Sequence, residues 1–321
     1  MRVDFILEKK RTYAIIGAGA VGGFYGARLQ RAGFDVHFLF HSDYEHVRIH
    51  GLRIESSEGD FALPKINAYR FASDMPPCDV AVLSLKTTNN RILPEVLPRI
   101  LKDDGAVLVL QNGLGIEEDV AALVGGHRVM GGLCFLRSNK IGPGLLRHSG
   151  SGHIILGDYS PSGPAGITLR CEAIADDFRA AGLVIQPTAD VRVARWQKLV
   201  WNIPYNGLSV VLDATTDCLM KTPSIRSLIL TLMREVEAGA AACGHSIPSM
   251  YVREMFDYTE AMEPYTTSMK IDFDEKRPME IESIYGNPLR AVATAGASMP
   301  RVEMLYQQLK YLDNRDHHSP P

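Results

Sequence analysis

The spacing of apolar positions changes near the middle of the chain. In the first half, short apolar runs alternate with stretches in which apolar residues recur every three or four positions, which predicts strands alternating with helices. Nearly continuous apolar strands separated by helices are typical of a parallel sheet covered on both faces. The segment Gly144–Asp158 is expected to add shorter antiparallel strands at an edge. The predicted elements are the strands Thr12–Gly17, Asp35–Phe40, Asp79–Leu85, Ala106–Gln111 and Arg128–Leu136, and the helices Ala18–Arg31, Asn89–Leu101 and Gly115–Leu123.

Helix formers dominate after Pro187. The pattern predicts an α/β fold in which an N-terminal Rossmann domain, residues 1–187, is followed by a mostly α-helical domain, residues 188–321. The join between two such domains is where a ligand cleft is expected. The clearest helical stretches are Val191–Leu212, Ser224–Cys243, Ser249–Met262 and Arg301–Leu312.

Composition excludes several functional classes. A chain of 321 residues with 46% hydrophobic and 22% charged residues can bury the cores of about two domains. The net charge of −3 and the scattered basic residues argue against nucleic acid or an anionic membrane as a partner. Five widely spaced cysteines without a CxxC pair suggest neither a disulfide framework nor a metal site. Met1–Arg11 lacks the apolar core of a secretory signal, so we expect a cytoplasmic protein.

A glycine-rich turn follows the first predicted strand. The run Gly17-Ala18-Gly19-Ala20-Val21-Gly22 is a GxGxxG motif between a strand and a helix. In this setting Gly17 permits the tight turn, Gly19 lets the backbone approach a pyrophosphate, and Gly22 allows close packing of helix on sheet. The free N–H groups at the helix start favour phosphate. We therefore predict a dinucleotide site rather than a merely structural turn.

The end of the second strand bears on the choice of cofactor. NAD sites usually carry an acid there for the ribose 2′-hydroxyl. This chain instead has His41 and Ser42, while Asp35 lies at the wrong end of the strand and Asp43 lies two residues beyond His41. A His and a Ser tolerate a 2′-phosphate better than a carboxylate does, so NADP (as NADPH) is favoured. The alternative is that His41 and Ser42 are loop residues and selectivity is low.

Two polar turns close the next strands of the predicted sheet. Lys86 follows the strand Asp79–Leu85, and Asn112 follows the strand Ala106–Gln111. Ligands of doubly wound sheets bind outside the carboxyl ends of the strands, which places both residues at the cofactor edge. Taken singly, a solvated lysine and an Asn-Gly turn chosen for positive φ would explain them equally well.

A polar stripe marks one helix of the second domain. Lys198, Asn202 and Asn206 are spaced by four, so they share a helix face among Trp, Leu, Val and Ile. An unpaired buried ammonium is costly, so Lys198 must reach solvent, a partner charge or a ligand. A lysine extending to water beside two structural asparagines is the alternative. In isolation Glu280, in the charged stretch that follows, is more readily explained as a surface acid than as a catalytic one, and spacing cannot decide between them.

Five motifs in order resemble the ketopantoate reductase (2-dehydropantoate 2-reductase) family. They are GAGAVGGFYGARL, LSLKT, LQNGLG, WQKLVWNIPYN and TSMKIDFDEKRPMEIESIYG, and the resemblance extends from about Tyr13 to Leu312. It implies NADPH-dependent reduction of ketopantoate to pantoate, a step of pantothenate biosynthesis. Two positions differ from the family pattern: His41 stands where an Arg is frequent, and Thr216 stands where members have a substrate-binding Asn.

The resemblance also implies roles for single residues. Lys198 is expected to be the general acid that protonates the ketone oxygen, and Glu280 to hydrogen-bond the nascent hydroxyl and orient the lysine. Lys86 is expected to meet the cofactor at its 2′-phosphate. The residues expected to position lysine, nicotinamide and substrate are Asn112, Asn202, Asn206 and Ser268.

Two other functions remain open at this stage. An opine- or 3-hydroxyacid-type dehydrogenase would use related architecture on a different substrate. A regulator that senses NADP would bind the cofactor without chemistry, although it would not need a proton donor such as Lys198. The expected partner is a small 2-keto acid, and the sequence is compatible with a homodimer.

Overall fold

The computed structural model describes residues 10–318. Residues 1–9 and 319–321, which include most of the stretch considered above as a secretory signal, lie outside the described residues. The chain forms two compact units. The first runs up to Gln111 and continues over Glu117–Ala189, and the second consists of Asn112–Ile116 together with the chain from Asp190 onwards. The excursion of Asn112–Ile116 into the second unit has no counterpart in the sequence pattern.

One mixed sheet organises the first unit. Its order is β4-β3-β9-β8-β7-β6-β1-β2-β5, with β10 beside β9. The neighbours of β1 and the pairs β6–β7 and β7–β8 are parallel, as the alternation of strand and helix signals predicted. Within the described residues the strands are β1 (Thr12–Ile16), β2 (Asp35–Leu39), β3 (Leu52–Ser56), β4 (Phe61–Leu63), β5 (Asn67–Tyr69), β6 (Cys78–Leu83), β7 (Leu101–Val109), β8 (Val129–Gly142), β9 (Leu145–Asp158) and β10 (Ile185–Pro187).

The segment Gly144–Asp158 is antiparallel as predicted, but its predicted place at an edge is wrong. It forms the single long strand β9, which pairs antiparallel with β8 over most of its length. Its other side pairs with β3 and β10, so β9 lies inside the sheet. Strand β10 is only three residues long, too short for an apolar period to reveal it from sequence, and β3 contains only two apolar residues among its five.

Within the described residues, five α-helices accompany this sheet, and apolar side chains between helices and strands form a buried core. The core joins Tyr13 and Phe38 of the strands to Phe24 of the first helix and Phe178 of the last. This layering confirms the predicted α/β dinucleotide-binding fold. The helices are α1 (Ala20–Arg31), α2 (Tyr44–His50), α3 (Leu93–Ile100), α4 (Ile116–Val124) and α5 (Leu169–Ala180).

The second unit is helical and is built around one buried helix. This helix, α6 (Val191–Val211), begins where the Asp190 carboxylate accepts hydrogen bonds from two backbone N–H groups, and it continues through Pro204. Trp196, Ile203 and Tyr205 of α6 lie in the core of the unit. The other helices are α7 (Thr216–Lys221), α8 (Pro223–Ala242), α9 (Tyr251–Ala261), α10 (Ser268–Asp274), α11 (Asn287–Thr294) and α12 (Pro300–His318), with a π-helical turn at Glu282–Gly286.

Two searches of the described part of the chain bear on function. No helix among residues 10–318 combines the length and apolar character needed to cross a bilayer. The same residues hold no group of three or more His, Cys, Asp or Glu side chains arranged to bind a metal ion.

Candidate active site

Packing explains two of the three motif glycines, and an open surface explains the third. A Cβ on Gly17, whose φ is +96°, would lie 2.3 Å from the backbone nitrogen of Leu85. A Cβ on Gly22 would lie 2.1 Å from Ser84 Oγ, so α1 could not pack as closely on the strands. A Cβ on Gly19 would meet no atom within 4 Å. The space beside Gly19 therefore fits a group that approaches the backbone, as the pyrophosphate of a dinucleotide does.

The start of helix α1 is suited to an anion. The helix begins at Ala20, directly after Gly19, and its first turn contains no acidic residue. Since the first N–H groups of a helix lack partners in the preceding turn, they present donors and a partial positive charge to a phosphate. Ala18, Ala20 and Val21 of the motif are partly exposed here.

Side chains just beyond the ends of β6 and β7 hold the turns beside the glycine motif. Ser84 Oγ lies 3.0 Å from the carbonyl oxygen of Gly17, to which it donates. Gln111 Nε2 donates to the Leu85 carbonyl at 2.7 Å and to Asn90 Oδ1 at 2.7 Å. Lys86 is partly exposed between these anchors. Neither Ser84 nor Gln111 was singled out from the sequence, although each closes an apolar strand.

Of the three polar residues that follow the end of β2, two are exposed and one is buried. His41 and Ser42 are exposed, whereas the Asp43 side chain is buried. Burial by itself would raise the pKa of Asp43, but hydrogen bonds from Lys140 Nζ, the Gly144 N–H and Ser42 Oγ lower the pKa below its ordinary value. Asp43 is therefore an ionised, hydrogen-bonded carboxylate at neutral pH.

In the second unit, α6 carries the predicted polar stripe into the interior. Lys198, Asn202 and Asn206 lie on successive turns of the helix and are 9%, 6% and 2% exposed. Glu280 is 5% exposed, so it is not the surface acid that its local sequence suggested. Burying ionisable groups is costly unless charge or hydrogen bonds compensate. Lys198 and Glu280 are thus buried side chains and not solvated surface charges.

A hydrogen bond joins α6 to the segment after Glu280, and another lies within α6 at the predicted site residue Asn206. The Tyr285 hydroxyl donates to the Ile203 carbonyl at 2.8 Å, which holds the segment after Glu280 against the helix one residue beyond Asn202. On the next turns, Ser209 Oγ donates to the Asn206 carbonyl at 2.9 Å.

The Ser209 hydroxyl also reaches the residue before Ser268. It lies 2.7 Å from Thr267 Oγ1, and both residues are fully buried. Thr267 in turn caps α10 by accepting from the backbone N–H of Lys270. Ser268, the first residue of α10, is partly exposed and is held beside the Asn206 region by this pair.

The Asn112 turn is fastened to the segment after Glu280. The N–H of Leu114 donates to the Ser283 carbonyl at 2.9 Å, and Asn287 Nδ2 donates to the Leu114 carbonyl at 2.6 Å. A Cβ on Gly113 would lie 2.4 Å from that same Ser283 oxygen, so the close approach requires glycine. Asn112 therefore belongs to the same compact unit as Lys198 and Glu280, which the sequence did not show.

Thr216 has a structural partner. Its N–H donates to the Tyr265 carbonyl at 3.0 Å, and its hydroxyl oxygen accepts from the Tyr265 N–H at 3.1 Å. These reciprocal bonds hold the segment that leads into Thr267. The position that differs from the family's asparagine therefore fastens backbone in this chain.

The chain is similar to known proteins along most of its length. The family model described as ketopantoate reductase PanE/ApbA matches residues 13–161, and the model of its C-terminal part matches residues 190–313. The 2-dehydropantoate 2-reductase of Nostoc sp. is 54% identical to this chain, and the alignment covers 96% of this chain and 97% of the Nostoc sequence. Together the two models cover both units.

Solved structures show the same similarity. The crystal structure of 2-dehydropantoate 2-reductase from Geobacter metallireducens is 44% identical, covers 94% of this chain and 99% of its own, and gives a TM-score of 0.90. A D-mandelate dehydrogenase solved with NADH and anilino(oxo)acetate shares the fold, with a TM-score of 0.86 and 23% sequence identity. The superposition covers 95% of this chain and 99% of the dehydrogenase chain. The chain belongs to the ketopantoate reductase family of oxidoreductases.

Proposed function

We propose that this protein reduces a 2-keto acid to the 2-hydroxy acid with NADPH, and that 2-dehydropantoate is the substrate. The observation that carries the proposal is the burial of Lys198 in a unit where hydrogen bonds join α6 to the segments of Ser268 and Glu280, and join the Glu280 segment to the Asn112 turn. The space beside Gly19 and the anion-compatible start of α1 support a dinucleotide.

NADPH, when bound, supplies the hydride that adds to the ketone carbon. The protein supplies the proton: Lys198 Nζ transfers it to the ketone oxygen as negative charge develops there, and the amine regains a proton from water. The Glu280 carboxylate orients the lysine and accepts a hydrogen bond from the new hydroxyl. The product gains one hydride and one proton, which balances the reduction of C=O to CH–OH.

The neutral polar residues hold the substrate. Amide and hydroxyl groups of Asn112, Asn202 and Ser268 can donate to a carboxylate without adding charge. Asn206 Oδ1 is a buried acceptor for which the described residues provide no hydrogen-bond partner. Because an unsatisfied buried acceptor costs about 1–3 kcal/mol, this atom fits a ligand hydroxyl.

The proposed preference for NADP rests on the end of β2, where His41 and Ser42 are exposed and could contact a 2′-phosphate. Lys86 adds a cation after β6. We further propose a cytoplasmic enzyme of pantothenate synthesis, with a homodimer as the assembly to be tested by light scattering.

The test follows the loss of NADPH absorbance with 2-dehydropantoate, branched 2-keto acids and an aryl 2-keto acid, and repeats each reaction with NADH. We expect the highest kcat/KM with 2-dehydropantoate and NADPH. Turnover of an imine or a 3-hydroxy acid without activity on 2-keto acids would select the opine- or 3-hydroxyacid-type alternative. Tight NADPH binding without oxidation across the whole panel would select the sensor.

A further inference from the structure

The carboxylate nearest the end of β2 is occupied by protein donors. Asp43 Oδ1 accepts from Lys140 Nζ at 2.7 Å and from Ser42 Oγ at 3.0 Å, while Asp43 Oδ2 accepts from the Gly144 N–H at 3.2 Å. An acid that selects NAD must turn its oxygens toward the ribose hydroxyls. Asp43 instead turns them toward the β8–β9 hairpin.

The hairpin that brings Lys140 to this point is held firmly. The Gly144 carbonyl accepts from the Arg53 N–H at 2.8 Å, next to the parallel pairing of β3 with β9. A Cβ on Gly144 would lie 2.9 Å from the Gly51 carbonyl oxygen, so the turn packs directly against the end of α2. Lys140 therefore reaches the end of β2 from a strand that is distant in sequence.

The ammonium of Lys140 has capacity beyond its bond to Asp43. Its side chain is 38% exposed, compared with 8% for Asp43. A lysine ammonium has three donors, so the pair with Asp43 orients it and leaves donors for phosphate oxygens. Ser42, which bonds the same carboxylate oxygen, lies on the exposed side together with His41.

We propose that Lys140 binds the 2′-phosphate of NADPH beside Ser42 and His41, and that Asp43 positions Lys140 instead of binding the ribose. This inference rests on the proposed function, because it explains how a chain with an acid near the end of β2 prefers the phosphorylated cofactor. It adds Lys140 to Lys86 as a determinant of cofactor choice.

The first unit offers a matched control. Lys102 Nζ lies 2.7 Å from Asp79 Oδ1 and its side chain is 34% exposed, so the lysine matches Lys140 in pairing and exposure, although Asp79 at 30% is more exposed than Asp43. Lys102 lies near the start of β7, at the end of the parallel strands opposite the glycine turn. A general loss of positive charge or of an ion pair would therefore affect both variants equally.

The experiment measures the dissociation constants of 2′,5′-ADP and 5′-AMP by calorimetry, which requires no turnover. Lys140→Ala should weaken 2′,5′-ADP binding roughly 10-fold or more and change 5′-AMP binding less than about twofold. Lys102→Ala should leave both constants within about twofold. Lys140→Arg should restore binding of 2′,5′-ADP, and Lys140→Met provides a variant of similar volume if Lys140→Ala unfolds.

The outcomes separate this inference from the proposed function. Equal weakening of both nucleotides, or an unchanged preference for 2′,5′-ADP in both Lys140→Ala and Lys140→Met, overturns the role of Lys140. Loss of the preference in Lys86→Ala but not in the Lys140 variants also overturns it. A wild-type protein that binds 5′-AMP as tightly as 2′,5′-ADP overturns the NADP preference itself.

Discussion

The glycine turn of the first unit and the polar helix of the second unit are built in opposite ways for the binding roles proposed for them. The turn offers backbone: Gly17 and Gly22 are required by packing, and Gly19 leaves open space. The helix α6 offers side chains, and the proposed role of Lys198 requires residues from other segments beside it. The first arrangement is local in sequence, whereas the second depends on hydrogen bonds between distant segments.

Because of this difference, mutations in the glycine turn and mutations near α6 should have different consequences. A change in the turn alters either the packing of α1 on the strands or the approach of a phosphate, and the two effects belong to different glycines. A change near α6 alters the position of several polar groups at once, because one pair such as Ser209–Thr267 holds two segments. The predictions below test this contrast, beginning with the largest effect.

Replacing the buried lysine should have the largest effect. Lys198→Ala is expected to lower kcat by about 10²–10⁴-fold, because it removes the proposed proton donor, and to leave NADPH affinity within about twofold. Steady-state rates and fluorescence titration measure the two quantities. Lys270, a buried lysine of the same unit paired with Asp213 and Asp274, provides the control. Equal loss of rate and of cofactor affinity in Lys198→Ala would refute its assignment as the acid.

Substitutions at Gly22 and Gly19 should affect packing and ligand binding separately. Gly22→Ala places a Cβ 2.5 Å from the Gly17 carbonyl oxygen and should lower the free energy of unfolding by about 1–3 kcal/mol. Gly19→Ala should change that free energy by less than about 0.5 kcal/mol, since its Cβ meets no protein atom within 4 Å. Gly19→Ala should nevertheless weaken NADPH binding roughly 10-fold. Denaturant unfolding and NADPH titration of both variants measure the two quantities. Normal NADPH affinity in Gly19→Ala would contradict the expected approach of the pyrophosphate to the backbone at Gly19.

Breaking the contact between α6 and α10 should have a moderate effect. Thr267→Val keeps the shape but leaves the Ser209 hydroxyl without this partner and the Lys270 N–H without its cap, at a cost of about 1–3 kcal/mol. Because Ser268 follows directly, KM for the keto acid should rise while NADPH affinity stays constant. Thr267→Ser should restore KM, and failure of that rescue would mean that the hydroxyl contact is not what positions Ser268.

Cysteine reactivity should show the smallest effect. Burial raises the pKa of Cys78 and of Cys171 to about 11, so few thiolates exist at pH 8. Cys218 of the second unit is exposed. Mass spectrometry after alkylation should find Cys218 modified first and activity unchanged, while Cys78 and Cys171 react only on unfolding. Early modification of Cys78 would indicate that the sheet of the first unit opens more readily than its burial suggests.

Much of the fold could be predicted because long apolar runs and helical periods are local signals. The strand before the glycine turn and the helix over Val191–Val211 appear in the structure within one or two residues of their predicted bounds. Helix α5 was missed, although Thr168 caps it and Cys171, Ile174, Ala175 and Phe178 follow a helical spacing. Its polar and charged remainder concealed that period.

The sequence by itself determined the dinucleotide turn, the alternation of the main strands and helices in the first half, the helical character of the second half, and the candidate lysine, since each depends on neighbours within a few residues. Tertiary structure decided that Glu280 is buried, that the Asn112 turn joins the helical unit, and that Lys140 meets Asp43. These features arise from hydrogen bonds and packing between residues far apart in the chain. Their pairing is set by how the elements assemble, and no local pattern carries that information.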